Sequence, residues 1–253
     1  KKSKYMITWN SAYKTKLIQN FTQRTSDLNP SLSNIFEGRK MPDEDNLNLG
    51  EGSYLKVAVL FLDLCGFTDI PSSNFEQQSK LLNTLNLFIP PMLSITKDYG
   101  GYYEKNTGDG LMAYFGADDK EDSIKVLSAV NAAITMHYFN KNILTPYLLS
   151  KYKDPLRFRI GIDFGYITIS KLGIRSNNSF VAIGTTANLA CRLLEKGGHG
   201  EIIIGNNVKN NLPSYEQVTF CISMGVHEKF FYIHNGAFYP IWKYNAVWKE
   251  PIV

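Results

Sequence analysis

YLKVAVLFLDL, residues 54–64, is an apolar run interrupted only by Lys56 and Asp63. A run without polar alternation, carrying β-branched Val57 and Val59, suits a strand buried on both faces. Such a strand needs packing layers around it, and the segments that follow offer them. Residues 74–98 place Leu82, Leu85, Ile89 and Met92 at helical spacing, with Pro90 and Pro91 expected to kink or shorten the helix. GGYYEKNTGDGLMAYFG, residues 100–116, reads as a β-hairpin around a tight Thr107-Gly108-Asp109-Gly110 turn. A second helix is expected over residues 121–138, with Ile124, Leu127, Val130, Ile134 and Tyr138 on one face. LRFRIGIDFGYITIS, residues 156–170, reads as a strand pair hinged at Gly165. A helix over about 185–195 stops at Gly197-Gly198, and EIIIG, residues 201–205, is a short buried strand. VTFCIS, KFFYIH and YPIWKYNAV look like antiparallel strands. The order β-α-ββ-α-ββ-α-β with further strands predicts an α+β domain on a mixed or antiparallel sheet.

Outside this pattern, residues 1–50 hold one amphipathic helix candidate (Trp9 to about Arg24) and then a polar stretch. They read as an arm and linker leading into a main domain over 51–253. Composition sets the outer bounds. The 253 residues are 44 % apolar and 20 % charged, which excludes a disordered or collagen-like chain. A net charge of +4 is too mild for a nucleic-acid footprint, although it is compatible with an anionic substrate. Cys65, Cys191 and Cys221 are odd in number and lack metal-type spacing, so a reducing compartment, the cytoplasm, is expected. The basic N-terminus has no apolar stretch behind it, and the longest greasy segment is broken by Pro90-Pro91; neither a signal peptide nor a membrane span is expected.

Two acids stand where folding alone would not put them. Asp63 follows a nearly unbroken apolar run at the end of a buried strand, where a carboxylate is costly unless paired or bound to a cation. Gly66 lets the chain turn there with backbone N–H groups facing a common point, a phosphate nest. Asp109 sits between two glycines in the hairpin turn, where Asp is ordinary by itself. If the Asp63 strand neighbours the hairpin, both carboxylates converge at one sheet end. Two hard oxygen ligands with open positions suit Mg²⁺ or Mn²⁺ carrying a nucleotide's phosphates.

FLDLCGFTDI (61–70), GGYYEKNTGDGLMAYFG (100–116), FRIGIDFGYITIS (158–170) and VAIGTTANLACRLLE (181–195), in that order, resemble the catalytic domain of class III nucleotidyl cyclases. The resemblance runs from about Lys56 to Tyr244, and its wording is most similar to the pyrimidine nucleotide cyclases of Pycsar anti-phage systems. It implies a ferredoxin-like βαββαβ core with extra C-terminal strands. It also implies a head-to-tail homodimer with two composite active sites. Asp63 and Asp109, helped by the Leu64 carbonyl, would hold two divalent cations, Mn²⁺ or Mg²⁺, per site. Cys65, Gly66, Phe67 and Thr68 would cradle the triphosphate. Asn188 would orient the ribose and Arg192 would stabilise charge at phosphorus; spaced i and i+4, they share one helix face. The two acids would come from one subunit, and Lys105, Asn188 and Arg192 from the other. The cyclic product would act on a separate effector in antiviral defence, with no nucleic-acid or membrane partner.

The base is read from two positions of the resemblance. Lys105, four residues before Asp109, stands where adenylyl cyclases place a base-contacting lysine and guanylyl cyclases usually place Glu. Val181 stands where adenylyl cyclases carry an acceptor for the adenine amino group, and valine accepts nothing. A lysine suits the carbonyls of uracil better than the amino group of cytosine, so UTP is favoured and CTP comes next. The uracil N3–H then needs an acceptor that neither position supplies. In HNGAFYPIWKY, residues 234–244, Asn235 replaces the family's triphosphate lysine, with His234 and Lys243 as candidate substitutes. His137, His199, His227 and His234 show no ligand spacing; the Tyr102-Tyr103 and Phe230-Phe231-Tyr232 clusters read as sheet core. Trp242 and Trp248 are candidates for a dimer interface. The alternatives are an adenylate cyclase, a non-catalytic nucleotide sensor on the same fold, and a diguanylate-type cyclase, for which no GGDEF-like run is present.

Overall fold

The structure is a computed structural model and describes residues 15, 18–19, 35–37, 42, 47–104, 109–116, 121–151, 155–174, 177–232 and 234–249. The apolar run lies inside a 13-residue strand, β2 (Gly52–Leu64), and a short β1 (Ile35–Glu37) pairs parallel with its start. Residues alternate between faces along a strand. Ala58, Leu60, Leu62 and Leu64 therefore enter one hydrophobic cluster, while Leu55, Val57 and Val59 enter another on the opposite face. That double burial is what the run predicts.

Helix α1 (Phe75–Asp98) follows, capped by the Asn74 side chain accepting from the Gln77 N–H at 2.9 Å. It runs through Pro90 and Pro91 without being shortened. The missing N–H groups would have served the carbonyls of Asn86 and Leu87. The helix persists because Phe88, Ile89, Met92 and Thr96 are buried on either side of the prolines. Leu82 is 59 % exposed, so the buried stripe starts later than its spacing suggested.

β3 (Gly101–Tyr103) and β4 (Gly110–Phe115) form the expected antiparallel hairpin; its residues 105–108 lie outside the described set. Helix α2 (Asp122–Phe139) buries Val126, Ala129, Val130, Ala133 and Ile134, whereas Ile124 is 43 % exposed. The helix passes through a π-helical turn, Asn140–Leu144, into α3 (Thr145–Lys151).

Residues 156–170 do not make a strand pair. Residues 158–170 belong to one 17-residue strand, β5 (Phe158–Ile174), because all 13 residues of β2 pair antiparallel along it, Gly52 with Ser170 through Leu64 with Phe158. Gly165 is not a hinge. A Cβ there would lie 2.6 Å from Thr186 Oγ1, and one at Gly161 would lie 2.3 Å from the Ala190 carbonyl. The two glycines form a groove that admits helix α4 (Thr185–Leu193) against the strand. β5 turns back into β6 (Asn177–Ile183), and a 3₁₀ turn (Leu194–Lys196) extends α4.

β7 (Ile202–Gly205) pairs parallel with β5. Helices α5 (Asn206–Asn211) and α6 (Ser214–Thr219) follow, then β8 (Cys221–Ser223) and β9 (Ile241–Tyr244). Val218 and Thr219 are thus helical. KFFYIH forms no extended strand among the described residues, only a bridge between Phe231 and Phe238. The sheet order is β3-β4-β2-β5-β7-β9-β8, with β1 on β2 and β6 on β5. Strands β5-β2-β4-β3 with α1 and α2 make the βαββαβ core of a mixed α+β fold. Of the N-terminal helix candidate, Thr15, Ile18 and Gln19 are helical; its other residues lie outside the described set. No helix among the described residues is long and apolar enough to cross a membrane.

Candidate active site

The sheet register puts the two acids at the same end of the β2–β4 pair. β2 and β4 pair as far as Asp63 with Gly110, so Asp109 is the next residue along β4. On its other side Asp63 pairs with Arg159 of β5. The Arg159 guanidinium donates to Asp63 Oδ2 from Nη2 at 3.0 Å and from Nε at 3.3 Å. This pairing answers the cost of an acid at the end of an apolar strand, and it leaves Oδ1 without a donor among the described residues. Arg159 was not legible as a site residue. It is one of several arginines, and only the β2–β5 register puts it beside Asp63.

Backbone geometry adds a third oxygen. The Cys65 N–H donates to the Arg157 carbonyl at 2.7 Å, so the Cys65 peptide groups face β5. Successive residues of a strand turn their carbonyls to opposite sides, so the Leu64 carbonyl faces β4 and Asp109. Asp63, Asp109 and the Leu64 carbonyl are hard oxygen donors that do not complete a coordination shell, a set suited to Mg²⁺ or Mn²⁺ sharing phosphate oxygens. Among the described residues no cluster of three or more His, Cys, Asp or Glu could hold a metal alone.

The chain then turns at Gly66, whose φ of 71° is left-handed, into a 3₁₀ turn over Phe67–Asp69. The N–H groups of Asp69 and Ile70 close onto the carbonyls of Gly66 and Phe67. With Cys65 already bonded to Arg157, the backbone donors of the turn without a partner among the described residues are those of Gly66, Phe67 and Thr68. A cavity of about 570 Å³ lies behind this turn, between Leu64, Lys80, Thr84 and Arg157, but neither acid lines it. Cys65 and Cys191 have thiol pKa values raised by burial, and all three cysteines are free.

Helix α4 carries Asn188, exposed, and Arg192, half-buried, on one face. Thr186 Oγ1 donates to the Tyr166 carbonyl at 3.1 Å and pins the helix start. The Arg192 guanidinium lies 4.9 Å over the Phe230 ring and donates to the Lys229 carbonyl, so its stem is held by the loop before β9. Cys191, next along the helix, feels the charge of Asp63.

Of the base-reading positions, Lys105 lies outside the described residues, and Val181 sits half-buried on β6 opposite Ser170. Glu104, adjacent to Lys105, was not singled out from sequence. Its Oε2 accepts the Ala182 N–H at 3.3 Å and also the Tyr114 hydroxyl, and burial pushes its carboxyl up.

Asn235 is exposed, and its Oδ1 accepts from the Ala237 N–H at 3.0 Å, closing a turn with Gly236 at φ 68°. Lys243 is taken up by Glu201 at 2.5 Å. His137 stacks on Phe158 at 4.4 Å, where burial lowers its pKa to about 4. Trp248 donates to Thr135 Oγ1, and Trp242 to Asn206 Oδ1.

Residues 50–227 match the model of the adenylate and guanylate cyclase catalytic domain. The chain belongs to this family. The cyclase domain is 32 % identical over 162 residues to a cytidylate cyclase of Staphylococcus aureus, covering 63 % of this chain but only 38 % of that protein. It is 29 % identical over 211 residues to a uridylate cyclase of Burkholderia cepacia, covering 82 % and 86 % of the two chains. The crystal structure of the adenylyl cyclase CyaB from P. aeruginosa superposes with a TM-score of 0.67 at 25 % identity, over 79 % of this chain and 98 % of that one. The cyclase domain therefore has the class III fold that its sequence motifs imply.

Proposed function

We propose that the chain is a pyrimidine nucleotide cyclase that converts UTP to 3′,5′-cyclic UMP and pyrophosphate. The observation that carries this proposal is the strand register that puts Asp63, Leu64 and Asp109 at one end of the β2–β4 pair, with Arg159 bonded to Asp63 from β5. In the reaction the ribose 3′-oxygen loses its proton and bonds to the α-phosphorus. The bond from that phosphorus to the bridging oxygen breaks, and pyrophosphate leaves. Asp63, Asp109 and the Leu64 carbonyl would hold two divalent cations, Mn²⁺ or Mg²⁺. When bound, these cations supply Lewis acidity at the attacking and leaving oxygens. Gly66, Phe67 and Thr68 offer N–H donors to the triphosphate, whereas the Cys65 N–H is spent on Arg157. Asn188 orients the ribose, and Arg192, released from the Lys229 carbonyl, meets the charge that builds at phosphorus.

The catalytic domain spans 51–253 in this scheme, with residues 1–50 as an arm, although β1 of that stretch joins the sheet. Two copies pair head to tail, and each site takes its acids from one subunit and Lys105, Val181, Asn188 and Arg192 from the other. The protein works in the cytoplasm, and its product activates a separate effector in anti-phage defence. Support for a pyrimidine base comes from the relatives named uridylate and cytidylate cyclase, and from Val181, which offers adenine no acceptor. The identity to the cytidylate cyclase keeps CTP as a second substrate reading. Incubation with each of the four NTPs and Mn²⁺, with products identified by mass spectrometry, tests the proposal. Cyclic UMP is the expected main product, and cyclisation of none of the four at micromolar protein would refute it.

A further inference from the structure

Glu104 stands at the end of β3, where its own N–H donates to the Met112 carbonyl at 2.9 Å and keeps it in the ladder with β4. Tyr102 pairs with Tyr114, so the alternation puts Glu104 on the face that carries Tyr114 and Met112. Both donors that reach its carboxylate, the Tyr114 hydroxyl and the Ala182 N–H, go to the same oxygen, Oε2. No described group donates to Oε1, and no cation pairs with the carboxylate among the described residues.

A tie between β3 and β6 does not by itself call for a charge. A glutamine carbonyl would accept from Tyr114 and Ala182 equally well, without the desolvation that burial of a carboxylate costs. Glu104 directly precedes Lys105, and the residue that holds it directly follows Val181. The half-occupied carboxylate is thus tied to β6 one residue from Val181, and in sequence it adjoins Lys105.

We propose that Glu104 Oε1 accepts the hydrogen bond of the uracil N3–H and so sets the preference for UTP. The proposal rests on the pyrimidine-cyclase function and adds the acceptor that this function lacked. Uracil presents an N–H between two carbonyls: a carboxylate satisfies the N–H and a neighbouring ammonium a carbonyl. Cytosine presents a lone pair at N3, which faces an ionised carboxylate unfavourably. Tyr114 is 1 % exposed and cannot yield, so Oε2 stays occupied and only Oε1 can turn to a ligand.

The test is Glu104→Gln in an equimolar UTP and CTP competition with Mn²⁺, read as the ratio of cyclic UMP to cyclic CMP. The glutamine carbonyl keeps both donors and puts an N–H₂ where Oε1 was. The ratio should fall by at least tenfold relative to wild type, through loss of UTP turnover with CTP turnover retained. A product ratio does not depend on how much of the variant is folded. An unchanged ratio, whether both activities fall together or neither does, would overturn the proposal and assign Glu104 to strand tethering. A second measurement uses the wild-type protein: 3-methyl-UTP, which lacks the N3–H, should be cyclised at least tenfold less efficiently than UTP, and equal efficiency overturns the proposal. A wild type that cyclises CTP but not UTP refutes the Glu104 proposal and leaves the pyrimidine-cyclase function standing. One that cyclises neither refutes both.

Discussion

Asp163 makes the domain's stability fall as pH rises through neutrality. It lies on β5, 1 % exposed, with Oδ1 accepting the Tyr239 hydroxyl at 2.5 Å and Oδ2 unpartnered among the described residues. Tyr239 in turn accepts the Asn207 N–H at 2.9 Å. A Cβ at Gly205 would come within 2.2 Å of Asp163 Oδ1, so the strand beside it closes the site. No cation pairs with the carboxyl among the described residues. Burial pushes its pKa from the ordinary 3.8 up to about 7, against the opposing pull of Tyr239 and the Phe164 backbone. The folded protein therefore keeps a proton that the unfolded chain releases near pH 4. That contribution is complete below pH 4 and is lost as pH rises through 7. Between pH 5 and pH 8 the loss amounts to about 3 kcal/mol, at roughly 1.36 kcal/mol per unit over the two units from 5 to 7. Asp163→Asn keeps an acceptor for Tyr239 and cannot titrate. Urea unfolding of both proteins at pH 5 and pH 8, at one ionic strength and protein concentration, gives two stability differences. The variant should gain about 3 kcal/mol on the wild type between the two pH values. Parallel pH profiles would refute a buried, proton-holding Asp163.

Two further outcomes follow from the site. Asp63→Ala and Arg192→Ala should each be inactive alone, while an equimolar mixture that exchanges subunits should recover about a quarter of wild-type activity, since half of the dimers keep one intact site. No recovery in confirmed heterodimers would sink the shared-site arrangement. Arg159→Met should lower turnover at saturating Mn²⁺ by at least about tenfold, yet cost only ~1 kcal/mol in unfolding free energy, because the Asp63–Arg159 pair is partly solvated. Full activity in that variant would show that Asp63 needs no positioning from β5.

How far the sequence could be read depends on the range of the interactions involved. The double-sided burial of residues 54–64 and the 100–116 hairpin come from local pattern, and both are found. The failures share a cause. Pro90-Pro91 carries a strong local penalty that tertiary burial of Phe88, Ile89 and Met92 overrides. Gly165 has a hinge residue's freedom, but 13 pairs with β2 keep β5 one continuous strand, and the glycine serves helix packing instead. In α2 the expected face is buried at Val130 and Ile134, whereas Ile124 at its start is 43 % exposed, and Val126, Ala129 and Ala133 widen the buried stripe.

The sequence by itself determined the α+β class and the family, and it singled out Asp63 and Asp109 as candidate ligands, because short motifs carry backbone conformation and residue type together. It could not supply partners that arise from strand register. Arg159 reaches Asp63 across 96 residues of chain, Ala182 reaches Glu104 across 78, and Tyr239 reaches Asp163 across 76. Each pair depends on which strands or loops come to lie side by side. Only the tertiary structure decided that, by burying the two faces of β2 and threading α4 along the glycines of β5.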